Sequence, residues 1–254
     1  MILVRGGGDI ATGSIYKLYQ CGYRILILET QQPTAIRRKA AFCEAVYDGS
    51  ACVEAVTCRK IDTMEACESA WEKGEIPLMV DPQAQILSAV RPEVVVDGIL
   101  AKKNLGTNRN MAPLTIGLGP GFFAGTDVDY VIETMRGHQL GRIITKGCAL
   151  PDTGVPGIIG GYGMERVIHA PASGIICVNA QIGDLVEAGE VLAVIGKTQV
   201  KASITGVLRG IIRDGFLVHE GLKIADIDPR KEQKENCDTI SDKARCIAGG
   251  VLEV

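Results

Sequence analysis

Apolar residues in this chain fall in short blocks, and the spacing within each block separates strands from helices. MILVR at the start is a short apolar run and predicts a strand. The next stretch, DIATGSIYKLYQCG, carries Ile10, Ile15, Leu18 and Tyr19 at helical spacing. RILILE predicts a second strand that ends on Glu29. PTAIRRKAAFCEAV predicts a helix with Pro33 near its start, and ACVEAVTCRKI a strand. TMEACESAWEKGE predicts a helix that stops near Gly74, IPLMVD a strand and QAQILSAV a short helix. EVVVDGIL and PLTIGLG predict buried strands, and residues 130–144 a strand with a return hairpin. Strand and helix signals therefore alternate, which implies a mostly parallel sheet covered by helices.

The connection after the first strand narrows that expectation. Gly6-Gly7-Gly8-Asp9-Ile10-Ala11 fits G-x-G-x-x-A between a strand and a helix, the dinucleotide fingerprint of a Rossmann-like domain. Glycine at 6 suits a sharp turn, glycine at 8 lets a phosphate approach the backbone, and Ala11 lets the helix sit close to the strand. A helix start offers unpaired N–H groups and partial positive charge to an anion. Glu29 follows at about the 20-residue spacing of a ribose-binding acid. The glycines at 8 and 13 also match a P-loop, but Ser14 stands where its lysine belongs. Asp9 at the mouth of the turn would cap the helix and repel a pyrophosphate.

The second half has a different grammar. Residues 167–195 overlay residues 199–227, with Gly174 on Gly206, Gly183 on Gly215 and Gly189 on Gly221. The glycines fall between short β-branched runs. The pattern resembles biotinyl and lipoyl carrier domains and predicts a small all-β barrel-sandwich hybrid with an internal two-fold repeat. Lys197 sits where carriers place their modified lysine, but the flanking residues of biotinyl or lipoyl sites are missing. A solvated hairpin lysine and no covalent biotin or lipoyl group are expected. The predicted divisions are an α/β domain over 1–160, the barrel-sandwich domain over 161–229, and a tail over 230–254 with a helix through SDKARCIA that packs back on the first domain. Gly249 and Gly250 are expected to stop that helix, with VLEV as a final strand.

Composition excludes some classes. The chain has 254 residues, 46% of them apolar, and a net charge of −3. No basic block points to nucleic acid. No signal peptide and no membrane-length apolar run is visible, so a cytoplasmic protein is expected. The nine cysteines contain no C-x-x-C, which predicts reduced thiols and no metal cluster.

Chemistry should collect beyond the carboxyl ends of parallel strands. The residues there are Gly6, Gly7, Gly8, Asp9 and Ile10, then Glu29, Asp81 and Asp97. A second glycine-rich loop carries Gly117, Gly119 and Gly121. Between them a polar loop at 100–110 carries Lys102, Lys103, Asn104 and Arg109, suited to an anionic ligand. His138 is read first as structural, and Cys148 first as a small buried side chain, with transient sulfur or selenium holding as its alternative.

RGGGDIATG, VVVDGILAKKNLGT, IGLGPGFFAGTDVDYVIETMRGHQLGR, DTGVPG and TISDKARCIAGGVLEV are spread along nearly the whole chain. Together they resemble the selenium-dependent molybdenum hydroxylase system proteins, the YqeB-like family. The resemblance implies an accessory or maturation factor that works with a molybdenum hydroxylase or its maturation machinery. It implies a small anionic ligand, either a nucleotide or a molybdopterin-type cofactor. It brings no agreed catalytic residues. Two other readings stand beside it. One is an NAD(P)-dependent oxidoreductase using Glu29, and the other is a non-enzymatic assembly module docking on the hydroxylase. A homo-oligomer is compatible with all three.

Overall fold

The computed structural model describes all 254 residues. They divide into two compact units. Met1–Pro33, Ala40–Thr153 and Ile240–Val254 form the first, and Thr34–Lys39 with Gly154–Thr239 the second. No helix is long and apolar enough to cross a membrane.

The first unit is built on β1 (Ile2–Arg5), α1 (Asp9–Gln20), β2 (Ile25–Glu29), α2 (Ala45–Asp48), β3 (Ser50–Val53), β4 (Val56–Ile61), α3 (Glu65–Glu72), β5 (Ile76–Val80), β6 (Val94–Asp97), β7 (Leu114–Leu118), β8 (Tyr130–Ile132), β9 (Ile143–Ile144) and α4 (Asp242–Glu253). One nine-stranded sheet runs in the order β3-β4-β5-β2-β1-β6-β7-β8-β9. Its inner pairs are parallel, while β3 and β9 pair antiparallel to their neighbours at the two edges. Alternate side chains of the inner strands serve opposite faces. Ile2, Val4, Ile25 and Ile27 pack with Ala11, Ile15 and Leu18 of α1 and with Ala244, Ile247 and Val251 of α4. Leu3, Leu26, Leu28 and Val95 pack on the other face with Cys67 and Trp71 of α3.

The expected Rossmann-like, helix-covered domain is corrected by this sheet. Six of its eight strand pairs are parallel, but the two antiparallel edges make it a mixed sheet, and its crossovers are poorly helical. Only α1 and α4 reach 12 residues, and α4 comes from the chain end. The connection from β5 to β6 holds a single 3-10 turn at Gln85–Ser88, and that from β6 to β7 one at Arg109–Met111. The helix predicted after Pro33 is also absent. Two 3-10 turns, Arg38–Ala40 and Phe42–Glu44, lead into the short α2. Ala40, Ala41, Phe42 and Cys43 are all buried, which leaves no polar face for an amphipathic helix. The single strand expected at 51–61 is a hairpin of β3 and β4, turned by Glu54 and Ala55 at φ 47° and 66°. α4 runs through Gly249 and Gly250 to Glu253. A Cβ on Gly250 would lie 2.2 Å from the Gly141 carbonyl, so this glycine permits close packing and does not end the helix.

The second unit contains β10 (Val167–His169), β11 (Gly174–Val178), β12 (Leu185–Val186), β13 (Val191–Ile195), β14 (Thr198–Lys201), β15 (Gly206–Ile211), β16 (Leu217–Val218) and β17 (Lys223–Asp228). They form two four-stranded antiparallel sheets, β10-β17-β15-β12 and β14-β13-β11-β16. Each strand of residues 167–195 has its counterpart from 199–227 at the same place in the other sheet, so each sheet draws on both halves. The barrel-sandwich expectation is nonetheless corrected, because no barrel closes. The outer strands are only two to four residues long, too short to carry pairing around an edge.

Residues 34–39 belong here through polar ties that sequence reading did not foresee. Arg38 Nε donates to the Ile211 carbonyl at 2.9 Å, Lys39 Nζ to that of Ile182 at 3.0 Å, and Arg37 to those of Asn236 and Thr239. At one end of the first sheet, buried Asp226 accepts from Arg166 at 3.0 Å and from Arg209, while Arg230 pairs with buried Asp228 at 2.9 Å. Such charges stay buried only because each meets an opposite one.

Candidate functional site

The inner strands of the nine-stranded sheet end level. Arg5 lies in register with Leu28 and Asp97, and Asp97 with Gly117. The chain leaves β1 toward β2 on one side and leaves β6 toward β7 on the other. That divergence makes the carboxyl ends of β1 and β6 the switch point of the sheet, where open parallel sheets usually form a ligand crevice.

Gly6, Gly7 and Gly8 fill the β1 side of it. Gly6 has φ +90°, and a Cβ there would lie 3.0 Å from the backbone of Ile99. A Cβ on Gly7 would lie 3.1 Å from the Cys43 amide. The Cys43 amide donates to the Gly7 carbonyl at 2.8 Å, and Thr12 Oγ1 donates to the same carbonyl at 3.1 Å. These two glycines are therefore required by the protein's own packing. Gly8 differs. It is the N-cap of α1 at φ −64°, and a Cβ there would meet nothing within 4 Å. The space above the first turn of α1, where Asp9 and Ile10 begin the helix, is open at this one point.

Four carboxylates terminate strands or start loops at this edge. Glu29 is buried, and its two oxygens accept from the Gly7 amide at 2.8 Å and the Thr30 amide at 2.6 Å. Burial pushes its pKa above the ordinary range, against the pull of those two amides. Asp97 is also buried. Its oxygens accept from the Ile99 amide at 3.1 Å and from Thr107 Oγ1 at 2.5 Å, with Arg5 Nη1 at 3.6 Å. Burial raises its pKa too, and Thr107, Ile99 and Arg5 oppose the rise. Glu133 accepts from the amides of Thr134, Met135 and Leu150. Asp81 accepts from the Ile86 amide at 2.9 Å and caps the turn at Gln85–Ser88.

The loop after β6 is held from several sides. Arg5 donates to Thr107 Oγ1 and to the carbonyls of Pro82 and Leu105. Asn104 accepts from the amides of Gly106 and Thr107 and donates back to the Thr107 carbonyl at 2.8 Å, so it builds the loop's own turn. Leu100 and Lys102 sit at φ 59° and 60°, a strained conformation for residues with side chains. Lys102 pairs with Asp152 at 2.6 Å, whereas Lys103 is exposed. Arg109 binds Asp129 and the Gly125 carbonyl. In the second glycine loop, side chains at 117, 119 and 121 would strike Phe122, Thr134 and the Lys103 backbone respectively. His138 lies exposed on the turn before β9, and Lys197 lies exposed on the hairpin in the second unit. Cys148 is exposed, not the buried side chain expected.

The structure thus places Gly6, Gly7, Gly8, Asp9, Ile10, Glu29 and Asp97 at the carboxyl ends of β1, β2 and β6, with Lys102, Lys103 and Asn104 on the loop after β6. Sequence reading missed Arg5, Thr107 and Cys43, which fix those strand ends. A lone arginine inside an apolar strand was the available signal for the first. Burial, then Glu29, Glu44 and Asp9, push the Cys43 thiol well up, so it stays protonated. No group of three or more His, Cys, Asp or Glu is arranged to hold a metal ion. A Cβ at Gly8 would enter open space, whereas one at Gly6 or Gly7 would meet backbone, so of the three only Gly8 leaves room beside the turn.

The chain has a 51% identical homologue. It is the uncharacterized protein YqeB of Escherichia coli (strain K12), aligned over 253 residues that make up all of this chain and 47% of that one. The chain therefore spans about half the length of the curated relative it matches. No family model matches. Solved structures give faint likenesses. An aspartoacylase family protein from Mesorhizobium loti shares 11% identity at a TM-score of 0.31, with 90% of this chain and 85% of that one covered. The product-bound ectoine utilization protein EutE from Ruegeria pomeroyi shares 10% at a TM-score of 0.29, with 89% and 84% covered. Scores at that level carry no statement about a shared fold.

Proposed function

We propose that this chain is an accessory or maturation factor for selenium-dependent molybdenum hydroxylases, and that it holds a nucleotide or molybdopterin-type anion at the start of α1. The motifs along the sequence support the pathway through the family they resemble, and the YqeB homologue supports the family name alone. The open space at Gly8 carries the site. Amides of the first turn of α1 would take the phosphate, whose negative charge the helix start favours. Lys103 would face the anion from the loop after β6. Lys102 is partly neutralised by Asp152, and Asn104 acts by shaping the loop. A bound molybdopterin would supply a dithiolene for metal. The residues here hold its phosphate end and orient it.

The Glu29–Gly7 bond weighs against the oxidoreductase alternative, since the acid meant for a ribose is already committed to the turn. The docking-module alternative draws on one observation. Exposed Ile175 and Leu217 lie opposite each other across β11 and β16, an apolar pair facing solvent. Thermal-shift screening against NAD, ATP, CTP, GTP and molybdopterin species tests the main reading. Stabilisation by one of them, lost in Gly8→Glu, supports it. Silence throughout, with capture of the hydroxylase unaffected by Gly8→Glu, supports the docking module.

A further inference from the structure

We propose that residues 100–103 form a strap across the glycine-rich loop after β7, held shut by the Lys102–Asp152 ion pair and released when an anion competes for that lysine. The strap does not depend on the reading at α1, since it needs no ligand there.

Two fixed points bound the segment. On one side the Ile99 amide donates to Asp97 Oδ1 at 3.1 Å, and the Ile99 backbone stands 3.0 Å from where a Cβ on Gly6 would lie. On the other side Asn104 Oδ1 accepts from the amides of Gly106 and Thr107, and its side-chain amide donates to the Thr107 carbonyl. Thr107 is itself bonded to buried Asp97 and Arg5. Between these points no backbone amide or carbonyl of residues 100–103 enters a hydrogen bond. Packing and one side chain hold the segment.

Its backbone is strained. Leu100 and Lys102 have φ 59° and 60°, the left-handed region that crowds Cβ against the following carbonyl. Such strain persists only where the surroundings impose it. Gly121 and Asp152 do so here. A Cβ on Gly121, at φ +112°, would lie 2.7 Å from both the amide nitrogen and the Cα of Lys103. The strap therefore lies directly on the backbone of the second glycine loop, and glycine leaves it room. Lys102 Nζ meets Asp152 Oδ2 at 2.6 Å, with the two side chains 61% and 40% exposed. An ion pair that open to water contributes little and is screened by salt. Two left-handed residues cost more than it returns, and packing on Gly121 supplies the rest of the hold. Loss of the ion pair shifts the balance toward release.

Release uncovers the backbone at Gly121 and leaves Lys102 beside Lys103, both on the exposed side of the segment. A carboxylate or phosphate acts on this latch by taking the lysine from Asp152, which a chloride ion does only by screening.

Limited trypsin digestion of the full chain reads the strap, because cleavage after Lys103 requires the segment to leave Gly121. Mass spectrometry gives the initial rate at that bond, an added peptide substrate corrects for the effect of salt on the protease, and melting temperatures check the fold of each variant. Lys102→Ala removes the latch and keeps the strain, and is expected to raise the rate about fivefold at low salt. Lys102→Gly removes latch and strain together, and is expected to stay within about twofold of the unaltered chain. Sodium chloride at about 1 M should bring the unaltered chain toward the Lys102→Ala rate and leave that variant unchanged. Inorganic phosphate at matched ionic strength should accelerate cleavage of the unaltered chain more than chloride does. Equal rates in the unaltered chain and Lys102→Ala would overturn the latch. A Lys102→Gly rate as high as that of Lys102→Ala would overturn the part played by strain. Phosphate acting no more strongly than chloride would overturn release by a competing anion. Acceleration at every cleavage site together, with a lowered melting temperature, would mean general loosening and overturn the strap.

Discussion

The Glu29 carboxylate accepts a hydrogen bond from the Gly7 amide at 2.8 Å, tying the end of β2 to the glycine turn that opens α1. Burial raises the pKa of this acid, so the native state keeps its proton to higher pH than the unfolded chain does. The native state then binds more protons than the unfolded one between the two values. Stability from this group is therefore greatest near and below the unfolded value, about 4.3, and falls as pH rises through the native value. Urea denaturation from pH 4 to 8 checks it. The stability difference between the native sequence and Glu29→Gln should fall as pH rises. A difference that grows with pH would contradict the assignment. Asp97 has the same sign and sits at the same edge, and Glu29→Gln leaves its contribution in place.

Thr107 is the joint between two buried charges, accepting from Arg5 and donating to Asp97. Thr107→Val keeps the shape and removes both hydrogen bonds. A loss of about 1–3 kcal/mol is expected, with Thr107→Ser recovering most of it. Chemical denaturation measures both.

Two glycines in helices should respond oppositely to alanine. A Cβ on Gly13 of α1 would lie 2.7 Å from Ala244 Cβ and 2.8 Å from its carbonyl oxygen, so the helices would have to separate. Overpacking of about 1–3 kcal/mol, less about 1 kcal/mol of gained helix propensity, leaves Gly13→Ala destabilised by up to about 2 kcal/mol. Gly249 of α4 has only Lys17 Nζ at 3.9 Å beyond it. Gly249→Ala should stabilise by up to about 1 kcal/mol. Thermal melts of the two variants in one buffer decide the matter.

Cysteine reactivity follows burial. Cys43 and Cys58 are buried and their thiols are pushed well up, chiefly by burial. Both should resist iodoacetamide in the folded protein, while the exposed Cys52, Cys148 and Cys177 react. Peptide mass spectrometry after brief labelling reads the pattern, and rapid labelling of Cys43 would contradict the closed packing around the glycine turn.

The inner strands were legible because parallel strands buried on both faces read as unbroken apolar runs, as in RILILE and EVVVDGIL. Their carboxyl ends, and so the switch point, followed directly. The hairpin of β3 and β4 was hidden because Glu54 and Ala55 take positive φ without the glycine or asparagine that announces such turns. The segment after Pro33 reads as a helix by propensity, but its alanines and Phe42 are enclosed by tertiary packing, which wins. The glycine fingerprint marks a turn in the sequence, but not which of its glycines the fold itself requires. Packing against Ile99 and Cys43 explains Gly6 and Gly7, contacts no local pattern displays. The barrel was inferred from the repeat, but repeat spacing does not encode whether edge strands are long enough to close.

The central claim is that an anion lies on the open turn at Gly8. Gly8→Glu puts a negative side chain into that space, its Cβ meeting no atom within 4 Å, so its melting temperature should stay within a few degrees of the native value. Calorimetry with whichever nucleotide or pterin stabilises the unaltered chain is the direct measurement. The account predicts that affinity drops at least tenfold in Gly8→Glu. Equal affinity in the two proteins would contradict it.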